Sequence, residues 1–227
     1  RYNLAPMTRY DTILFDLDGT LVDSYEALTN AINYTRGEHG LAAISAESIR
    51  GLVGDGLEPL LVRVFSPGPV PARATALFEQ KYDELCCVQS VMLHDVAPTL
   101  AALAALGIRM AVCTNKPTSF STKILHHLGI AHYFAAVVGP DLAGAQKPDG
   151  AHVRATLAAA GGPTGRALFV GDMTIDIAAA RNGGLPVAVI ATGSNSAEAL
   201  RAAEPDYFLN GFSDLVGIAK NGATGVA

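Results

Sequence analysis

Two acidic residues, Asp16 and Asp18, stand one residue apart after a short apolar run, 12–15, that is typical of a buried strand. On an extended chain their side chains would point to opposite sides, but a turn at Gly19 can bring both into one cleft. Paired carboxylates can bind a hard cation such as Mg²⁺, attack an electrophile or transfer protons. An Asx turn that caps the next segment is a plainer explanation, and this pair alone does not decide between the two.

Further polar residues end later apolar runs or precede helices. They are Thr114-Asn115-Lys116 after the second core run, Lys147 before Pro148 and a helix, and the segment 171–176, which contains Asp172 and Asp176. In open α/β sheets, ligands bind beyond the carboxyl ends of the strands. Taken singly, Lys147 could be a surface lysine, and Thr114 or Asp172 could cap a helix. Their combination with the first pair favours a site.

Four short motifs, taken in chain order, resemble those of the haloacid dehalogenase superfamily of phosphotransferases. They are D-L-D-G-T-L-V-D at 16–23, Thr114, Lys147, and G-D-x-x-x-D at 171–176. The resemblance covers nearly the whole chain from Met7. Each motif is weak by itself, whereas four in family order on the expected elements are specific.

The resemblance implies that a carboxylate attacks a phosphate ester. Asp16 would attack phosphorus and become an aspartyl-phosphate, while Asp18 would protonate the leaving oxygen and later take a proton from water. Because the ester is an anion, this nucleophile needs charge neutralisation. The implied cofactor is Mg²⁺, held by the Asp16 carboxylate, the Asp18 main-chain carbonyl and the Asp172 carboxylate.

The resemblance also implies how the transferring phosphoryl group is bound. Thr114 and nearby backbone amides, including that of Asn115, would bind its oxygens. Lys147 would add a fixed positive charge where negative charge spreads in the transition state. Asp176 keeps two possible roles: it binds a water of the metal, or it pairs with Lys147.

The elements that position these residues alternate between strands and helices, which predicts a doubly wound α/β fold with a parallel sheet. Apolar runs typical of strands are 12–15, 108–113, 134–138, 167–170, 186–190 and, more weakly, 207–209. Helical spacing occurs at 97–106, 118–128, 151–160, 174–182 and 196–203. The family resemblance implies the strand order 5-4-1-2-3, with the first, second and fourth strands side by side.

The alternation is interrupted after the first strand, where about ninety residues lack a strand pattern. Apolar residues at helical spacing, with a Pro/Gly-rich break at 66–71, predict helices there instead. We therefore expect a Rossmann-like catalytic core formed by 1–22 and 93–227, and a small helical cap domain inserted at 23–92.

The cap carries the indications of substrate. Its Val-Gly-x-Gly loop, with Gly54 and Gly56, looks most like that of bacterial phosphoglycolate phosphatases. The glycines would allow close backbone approach to a short ligand and leave amides free to bind a carboxylate. Arg50 could pair with that carboxylate or be a helix-surface arginine. The resemblance makes 2-phosphoglycolate, or another small phosphorylated metabolite, the favoured substrate.

Composition limits other partners. Half of the 227 residues are hydrophobic, 16% are charged, the formal net charge is −5, and no Lys/Arg run suggests a nucleic-acid or anionic-lipid surface. No apolar run approaches the roughly 20 residues needed to cross a bilayer. The three cysteines lack metal-ligand spacing, so we expect reduced thiols in a cytoplasmic protein. We also expect the protein to be a monomer or a homodimer.

Other functions stay open from the sequence. Within the superfamily they are a pyrophosphatase, a sugar phosphatase and a β-phosphoglucomutase-like phosphotransferase. A dehalogenase or a phosphonate hydrolase is disfavoured because Asp18 is present. From a different class come a phospho-accepting signalling domain, whose acceptor would follow the third strand instead of the first, and a non-catalytic binding protein on the same fold.

Overall fold

The computed structural model describes residues 10–162 and 166–221. Its strands are β1 (Thr12–Phe15), β2 (Val22–Asp23), β3 (Val91–Met92), β4 (Arg109–Cys113), β5 (Phe134–Val138), β6 (Ala167–Gly171), β7 (Val187–Ile190) and β8 (Tyr207–Leu209). Its helices are α1 (Tyr25–Gly37), α2 (Ala46–Arg50), α3 (Leu57–Phe65), α4 (Ala74–Leu85), α5 (Val96–Ala105), α6 (Thr118–His127), α7 (Pro140–Ala143), α8 (Gly150–Ala159), α9 (Thr174–Gly183), α10 (Ala197–Ala202) and α11 (Asp214–Asn221). A 3₁₀ turn spans Ala131–Tyr133.

Six of these strands form one parallel sheet in the order β5-β4-β1-β6-β7-β8. Counted along the chain within this sheet, the order is 3-2-1-4-5-6. The predicted doubly wound fold is confirmed. Read from the other edge of the sheet and without the sixth strand, the order is the predicted 5-4-1-2-3. The structure adds β8, the weak run, beside the fifth strand.

The sheet is buried on both faces, because neighbouring residues of one strand pack into different hydrophobic clusters. In β1, Ile13 and Phe15 join the cluster that includes α5, α6 and α11. Leu14 joins the opposite cluster, with α8, α9 and α10. Strands buried on both faces have continuous apolar sequences instead of alternating ones, which explains the runs seen in the sequence.

The register around β1 determines which residues meet at the edge of the sheet. Phe15, the last residue of β1, lies opposite Val112 of β4 and Val170 of β6. The Asp16 amide still donates to the Val170 carbonyl, at 2.9 Å. The segments that follow β1, β4 and β6 therefore leave the sheet side by side.

The helices α1 to α4 form the predicted insert, between β2 and β3. These two strands pair antiparallel, with Val22 opposite Met92 and Asp23 opposite Val91. The insert thus leaves and rejoins the core through adjacent segments. The pair was not predicted, because two residues per strand are too few to show a periodic pattern.

The five helices predicted with bounds are present, and their ends are shifted by at most one residue. For example, α10 begins after Ser196, whose hydroxyl accepts a hydrogen bond from the Ala199 amide at 3.2 Å and caps the helix. The short α7 and the C-terminal α11 were not predicted. Among the described residues, no helix combines the length and the apolarity needed to cross a membrane.

Candidate active site

Asp16, Asp172 and Asp176 form a buried acidic cluster beyond the carboxyl ends of β1 and β6. One carboxylate oxygen from each lies within 4.8 Å of the others. The Lys147 ammonium lies between two of them, with Nζ 2.8 Å from Asp16 Oδ1 and 2.7 Å from Asp176 Oδ1. All four residues are at most 6% exposed. The structure therefore brings together four residues that the sequence had singled out.

Burial changes the protonation of this cluster. It raises the pKa of Asp16 to about 6 against the opposing Lys147 ammonium, and the nearby Asp176 carboxylate adds to the rise. Burial also raises the pKa of Asp172 well above its usual range, with contributions from Asp176 and Asp16. Burial alone would lower the pKa of Lys147, but Asp16 and Asp176 raise it overall. The ammonium stays charged, and it supplies one positive charge beside three carboxylates.

The donor set of this cluster fits Mg²⁺. Three carboxylates and one ammonium leave two negative charges unbalanced when all are ionised. Asp16 Oδ1 is buried and, within the described part of the chain, has no partner aligned for a hydrogen bond, although Lys147 Nζ is 2.8 Å away. Hard oxygen donors and a deficit of two positive charges suit a magnesium ion.

Neighbouring loops orient Asp172. The Thr20 hydroxyl donates to Asp172 Oδ1 at 2.8 Å, and the Ser194 amide donates to Oδ2 at 3.1 Å. A Cβ at Gly193 would lie 1.7 Å from Asp172 Oδ2, so only glycine fits there. Gly19, with φ +85°, forms the turn after Asp18 that the sequence predicted, and it also packs against Asp172.

Asp176 contacts Lys147 and the backbone of its own loop. Its Oδ1 accepts from Lys147 Nζ at 2.7 Å. Its Oδ2 accepts from the amides of Asp172 at 3.1 Å and Met173 at 3.0 Å. The geometry therefore favours the ion-pair role over the role of holding a metal-bound water, which stays a prediction.

Lys116 and Ser24 hold the Asp18 carboxylate. Lys116 Nζ lies 2.7 Å from Oδ1 and 2.6 Å from Oδ2, and the Ser24 hydroxyl donates to Oδ1. Both side chains of the ion pair are largely buried, at 5% and 13% exposure. Burial alone would lower the pKa of Lys116, but Asp18 and Tyr82 raise it overall. The result is a fixed, charged pair beside the acidic cluster.

Thr114 and Asn115 follow β4, but the Asn115 side chain is not free to bind a phosphoryl group. Its Oδ1 accepts from the Lys147 amide at 2.8 Å. Its Nδ2 donates to the carbonyls of Lys147 at 3.1 Å and of Gly54 at 3.0 Å. Buried peptide groups need such partners, so this side chain positions its neighbours. Phosphate binding by its backbone amide and by Thr114 stays a prediction.

The glycine loop of the insert lies against the core. Gly54 and Gly56 have φ values of +130° and +90°, which side-chain-bearing residues rarely adopt. A Cβ at Gly54 would lie 2.4 Å from Met173 Cε, on the loop after β6. Gly54 and Gly56 both line the cavity beside Asp16, and contact of this loop with a substrate stays a prediction.

Arg50, the last residue of α2, contacts the 192–193 loop of the core. Its guanidinium donates to the carbonyls of Thr192 at 3.4 Å and Gly193 at 3.3 Å, and lies 4.0 Å from the Tyr25 ring centroid and 3.6 Å from an Asp23 oxygen. The end of α2 thus contacts the 192–193 loop, whose Gly193 also packs against Asp172. Its guanidinium joins insert to core in this structure, and pairing with a substrate carboxylate stays a prediction.

A small cavity of about 60 Å³ separates the insert from the core beside Asp16 and Asp18. Most of its wall is apolar, contributed by Leu28, Val53, Leu57, Leu60, Phe78, Pro117, Phe120 and Met173. Its polar side chains are those of Asp16, Asp18, Thr114, Asn115, Lys116 and Tyr82. This space suits a few water molecules or a short ligand.

Lys116, Ser24 and Tyr82 were not predicted to act at this site. For Lys116 a signal was present, since it follows Thr114 in the same strand-end loop. For Ser24 and Tyr82 there was none, because only the packing of the insert on the core brings α1 and α4 to the cavity.

The fold and the site are those of a known protein family. Residues 13–190 match the family described as haloacid dehalogenase-like hydrolase. The chain belongs to this family, and it is a phosphatase.

Individual relatives are similar over most of their length. The chain is 36% identical over 210 residues to a phosphoglycolate phosphatase of Caulobacter vibrioides, covering 90% of this chain and 88% of that protein. It is 34% identical over 215 residues to a phosphoglycolate phosphatase of Agrobacterium fabrum, covering 89% of each. The crystal structure of a predicted phosphoglycolate phosphatase from Haemophilus somnus 129pt aligns with a TM-score of 0.85 and 31% identity, covering 93% of this chain and 99% of that one.

Proposed function

We propose that this chain is a Mg²⁺-dependent phosphomonoesterase that works through an aspartyl-phosphate on Asp16, with 2-phosphoglycolate as its favoured substrate. One observation carries the proposal: Asp16 lies against Lys147 and beside buried Asp172, at the edge of the cavity between insert and core. The names of the relatives from Caulobacter vibrioides and Agrobacterium fabrum support the choice of substrate.

The metal would be held by the carboxylates of Asp16 and Asp172 and by the main-chain carbonyl of Asp18. When bound, Mg²⁺ supplies positive charge that lets an anionic nucleophile approach an anionic phosphate. Thr20 and the Ser194 amide keep the Asp172 carboxylate oriented toward this position.

In the first step, an Asp16 carboxylate oxygen attacks phosphorus. The bond from phosphorus to the ester oxygen breaks, and Asp18 gives its proton to that oxygen, so glycolate leaves as an alcohol. Lys147, which Asp176 fixes in place, places its positive charge beside the attacking carboxylate, where the transferring phosphoryl group would lie. Thr114 and the amides of the following loop would bind the phosphoryl oxygens.

In the second step, water attacks the phosphorus of the aspartyl-phosphate. Asp18 takes the proton of that water, the bond to Asp16 breaks, and inorganic phosphate leaves. Lys116 Nζ contacts both oxygens of Asp18, which the first step leaves as a carboxylate. Lys116 and Ser24 thereby aim the base at the cavity.

The insert, residues 23–92, would act as a cap over the core formed by 1–22 and 93–227. The hydrogen bond from Asn115 to the Gly54 carbonyl and the packing of Met173 on Gly54 are the contacts that would hold it over Asp16. Such a cap excludes water from the first step. Cytoplasmic location and a monomeric or homodimeric state stay predictions from the sequence.

A panel of phosphate esters tests the proposal. The purified protein is assayed with Mg²⁺ on 2-phosphoglycolate, pyrophosphate, sugar phosphates and nucleotides, with and without chelator. We expect Mg²⁺-dependent phosphate release and the highest kcat/KM for 2-phosphoglycolate. A flat profile, or a preference for a sugar phosphate or pyrophosphate, would contradict the substrate, and undiminished turnover with chelator would contradict the metal.

Two matched variants test the nucleophile. Asp16→Asn removes the carboxylate after β1, whereas Asp11→Asn changes the residue just before β1, whose exposed ion pair with Arg166 contributes little. We expect Asp16→Asn to lose at least 1,000-fold in kcat and Asp11→Asn to stay within about twofold of the wild type. Substantial activity in folded Asp16→Asn would disprove the assignment.

A further inference from the structure

Lys116 is the cation that reaches the cavity. Among the described residues that line it, the charged side chains are those of Asp16, Asp18 and Lys116. The other buried lysine, Lys147, has its ammonium between Asp16 and Asp176 and is not part of the wall. A second anionic group on a ligand in this cavity would therefore find its counter-charge at Lys116.

Tyr82 adds a hydrogen-bonding group at the same place. It is 1% exposed, it lines the cavity, and no acceptor for its hydroxyl proton is found among the residues described. Lys116 Nζ lies 4.9 Å from the centroid of its ring. A buried hydroxyl without an acceptor is unfavourable, so a ligand that accepts its proton would be stabilised.

The ring of Tyr82 is held in place by two aromatic neighbours. Phe78 stacks on it with centroids 5.5 Å apart, and Phe120 meets it edge-on at 5.1 Å. These contacts hold the ring, and with it the hydroxyl, in a fixed position at the wall of the cavity. Tyr82 comes from the insert and Lys116 from the core, so a group bound to both would also join the two.

The rest of the wall offers little to a charged group. It consists largely of aliphatic and aromatic side chains, and a carboxylate placed there needs both a counter-charge and a hydrogen bond. Lys116 and Tyr82 together supply both. The cavity of about 60 Å³ limits the distance between this carboxylate and the phosphorus at Asp16 to a short linker.

We propose that Lys116 and Tyr82 bind the carboxylate of a short phosphorylated acid and so determine the specificity of the enzyme. This assignment rests on the proposed function and names the residues that would distinguish 2-phosphoglycolate from an uncharged ester. It gives this role to a core lysine and a cap tyrosine, in place of Arg50.

The test compares two substrates of similar length. 2-Phosphoglycolate carries the carboxylate, and 2-hydroxyethyl phosphate carries a neutral hydroxymethyl group in its place. The quantity measured is the ratio of their kcat/KM values in the wild type, Tyr82→Phe and Lys116→Met, with Mg²⁺ present. Tyr34→Phe, which removes a partly exposed hydroxyl from α1, is the matched control.

We expect the ratio to fall at least fivefold in Tyr82→Phe and at least tenfold in Lys116→Met, and to stay unchanged in Tyr34→Phe. Lys116→Met also loses rate on both substrates, because Lys116 orients Asp18. A ratio unchanged in Tyr82→Phe and Lys116→Met would overturn the assignment and leave the phosphatase intact. A wild type that hydrolyses neither substrate would instead count against the proposed function itself.

Binding provides a readout that does not depend on turnover. In the Asp16→Asn background, calorimetry measures the dissociation constant of 2-phosphoglycolate with and without the additional Tyr82→Phe change. We expect the second change to weaken binding at least fivefold, while binding of inorganic phosphate stays unchanged. Equal weakening of both ligands would show that the hydroxyl serves the fold and does not bind the carboxylate.

Discussion

Lys147 contacts two carboxylates whose functions differ. Its ammonium lies 2.8 Å from Asp16, the proposed nucleophile, and 2.7 Å from Asp176, which is otherwise occupied with backbone amides. Asp176 thus fixes the lysine, and the lysine in turn faces the reacting oxygen. Asp172, which Lys147 does not reach, is oriented by Thr20 and Ser194 and is left with an unbalanced negative charge.

The pKa of Asp16 predicts how stability depends on pH without metal. Burial raises this pKa to about 6, so between the unfolded value of 3.8 and about 6 the folded protein holds a proton that the unfolded chain has lost. The contribution is fully present below 3.8 and is lost as the pH rises through about 6. With chelator, we expect urea unfolding to give a lower free energy at pH 7.5 than at pH 5, and the difference to shrink in Asp16→Asn.

Magnesium should reverse this trend, because it binds the deprotonated carboxylates. At about 100 times its dissociation constant, Mg²⁺ should add about 2.7 kcal/mol to the free energy of unfolding at pH 7.5, and less at pH 5. Asp11→Asn should keep this gain and Asp16→Asn should lose most of it. If Mg²⁺ stabilised Asp16→Asn as much as the wild type, Asp16 would not be a ligand.

At the level of single residues, the sequence identified the residues of the buried cluster but not the side chains around it. Asp16, Thr114, Lys147 and Asp172 follow or precede regular elements, and the order of parallel strands brings such positions to one edge. Ser24 and Tyr82 come from helices of the insert, whose packing no local pattern describes. The sequence left two roles open for Arg50 for the same reason, since the orientation of α2 depends on contacts with the 192–193 loop.

Among the elements of the insert, the loop between α2 and α3 contacts the core beside the site. Its Gly54 carbonyl accepts from Asn115, the side chain that also holds both peptide groups of Lys147. One asparagine therefore ties the insert, the strand-end loop of β4 and the lysine segment together. Movement of the glycine loop would therefore displace Asn115 and, through its hydrogen bonds, Lys147.

Gly54→Ala tests this loop. The φ of +130° is unfavourable for alanine, and the new Cβ would lie 2.4 Å from Met173 Cε, which must move aside. Backbone strain of about 1–3 kcal/mol corresponds to a loss of about tenfold or more in kcat/KM if it displaces the loop. Steady-state kinetics on the best substrate measures the loss.

Gly51→Ala is the control, because it lies in the same loop with an ordinary φ and its Cβ would meet nothing closer than 3.7 Å. It should stay within about twofold of the wild type. Adding Met173→Ala to Gly54→Ala should restore part of the activity by removing the clash. Wild-type kinetics in Gly54→Ala would mean that this loop does not position the site.

Strands and long helices were predicted well at this scale, whereas short elements were not. The six strands of the sheet are buried on one or both faces, so their apolar runs are clear in the sequence. The paired segments β2 and β3 have two residues each, and their position depends on the insert leaving and returning at one place. Helix ends shifted because caps such as Ser196 decide them.

Considered as a whole, the molecule carries a net negative charge yet acts on anions. The formal charge is −5, and the cations that matter, Lys116 and Lys147, are buried at the site and paired with aspartates. A charged substrate would thus be selected by local groups at the junction of insert and core, without attraction by the surface as a whole. The strands and the strand-end residues could be predicted from the sequence, but the junction could not, because it depends on how the helices of the insert pack on the core.

Covalent trapping of the phosphoryl group tests the central claim most directly. The wild type is mixed with ³²P-labelled 2-phosphoglycolate and Mg²⁺, quenched in acid within milliseconds, and digested to locate the label. We predict an acid-stable, hydroxylamine-sensitive phosphate on the peptide that contains Asp16, and none in Asp16→Asn. Phosphate release in the wild type at full rate, with no label on the protein or with label on another residue, would contradict the mechanism.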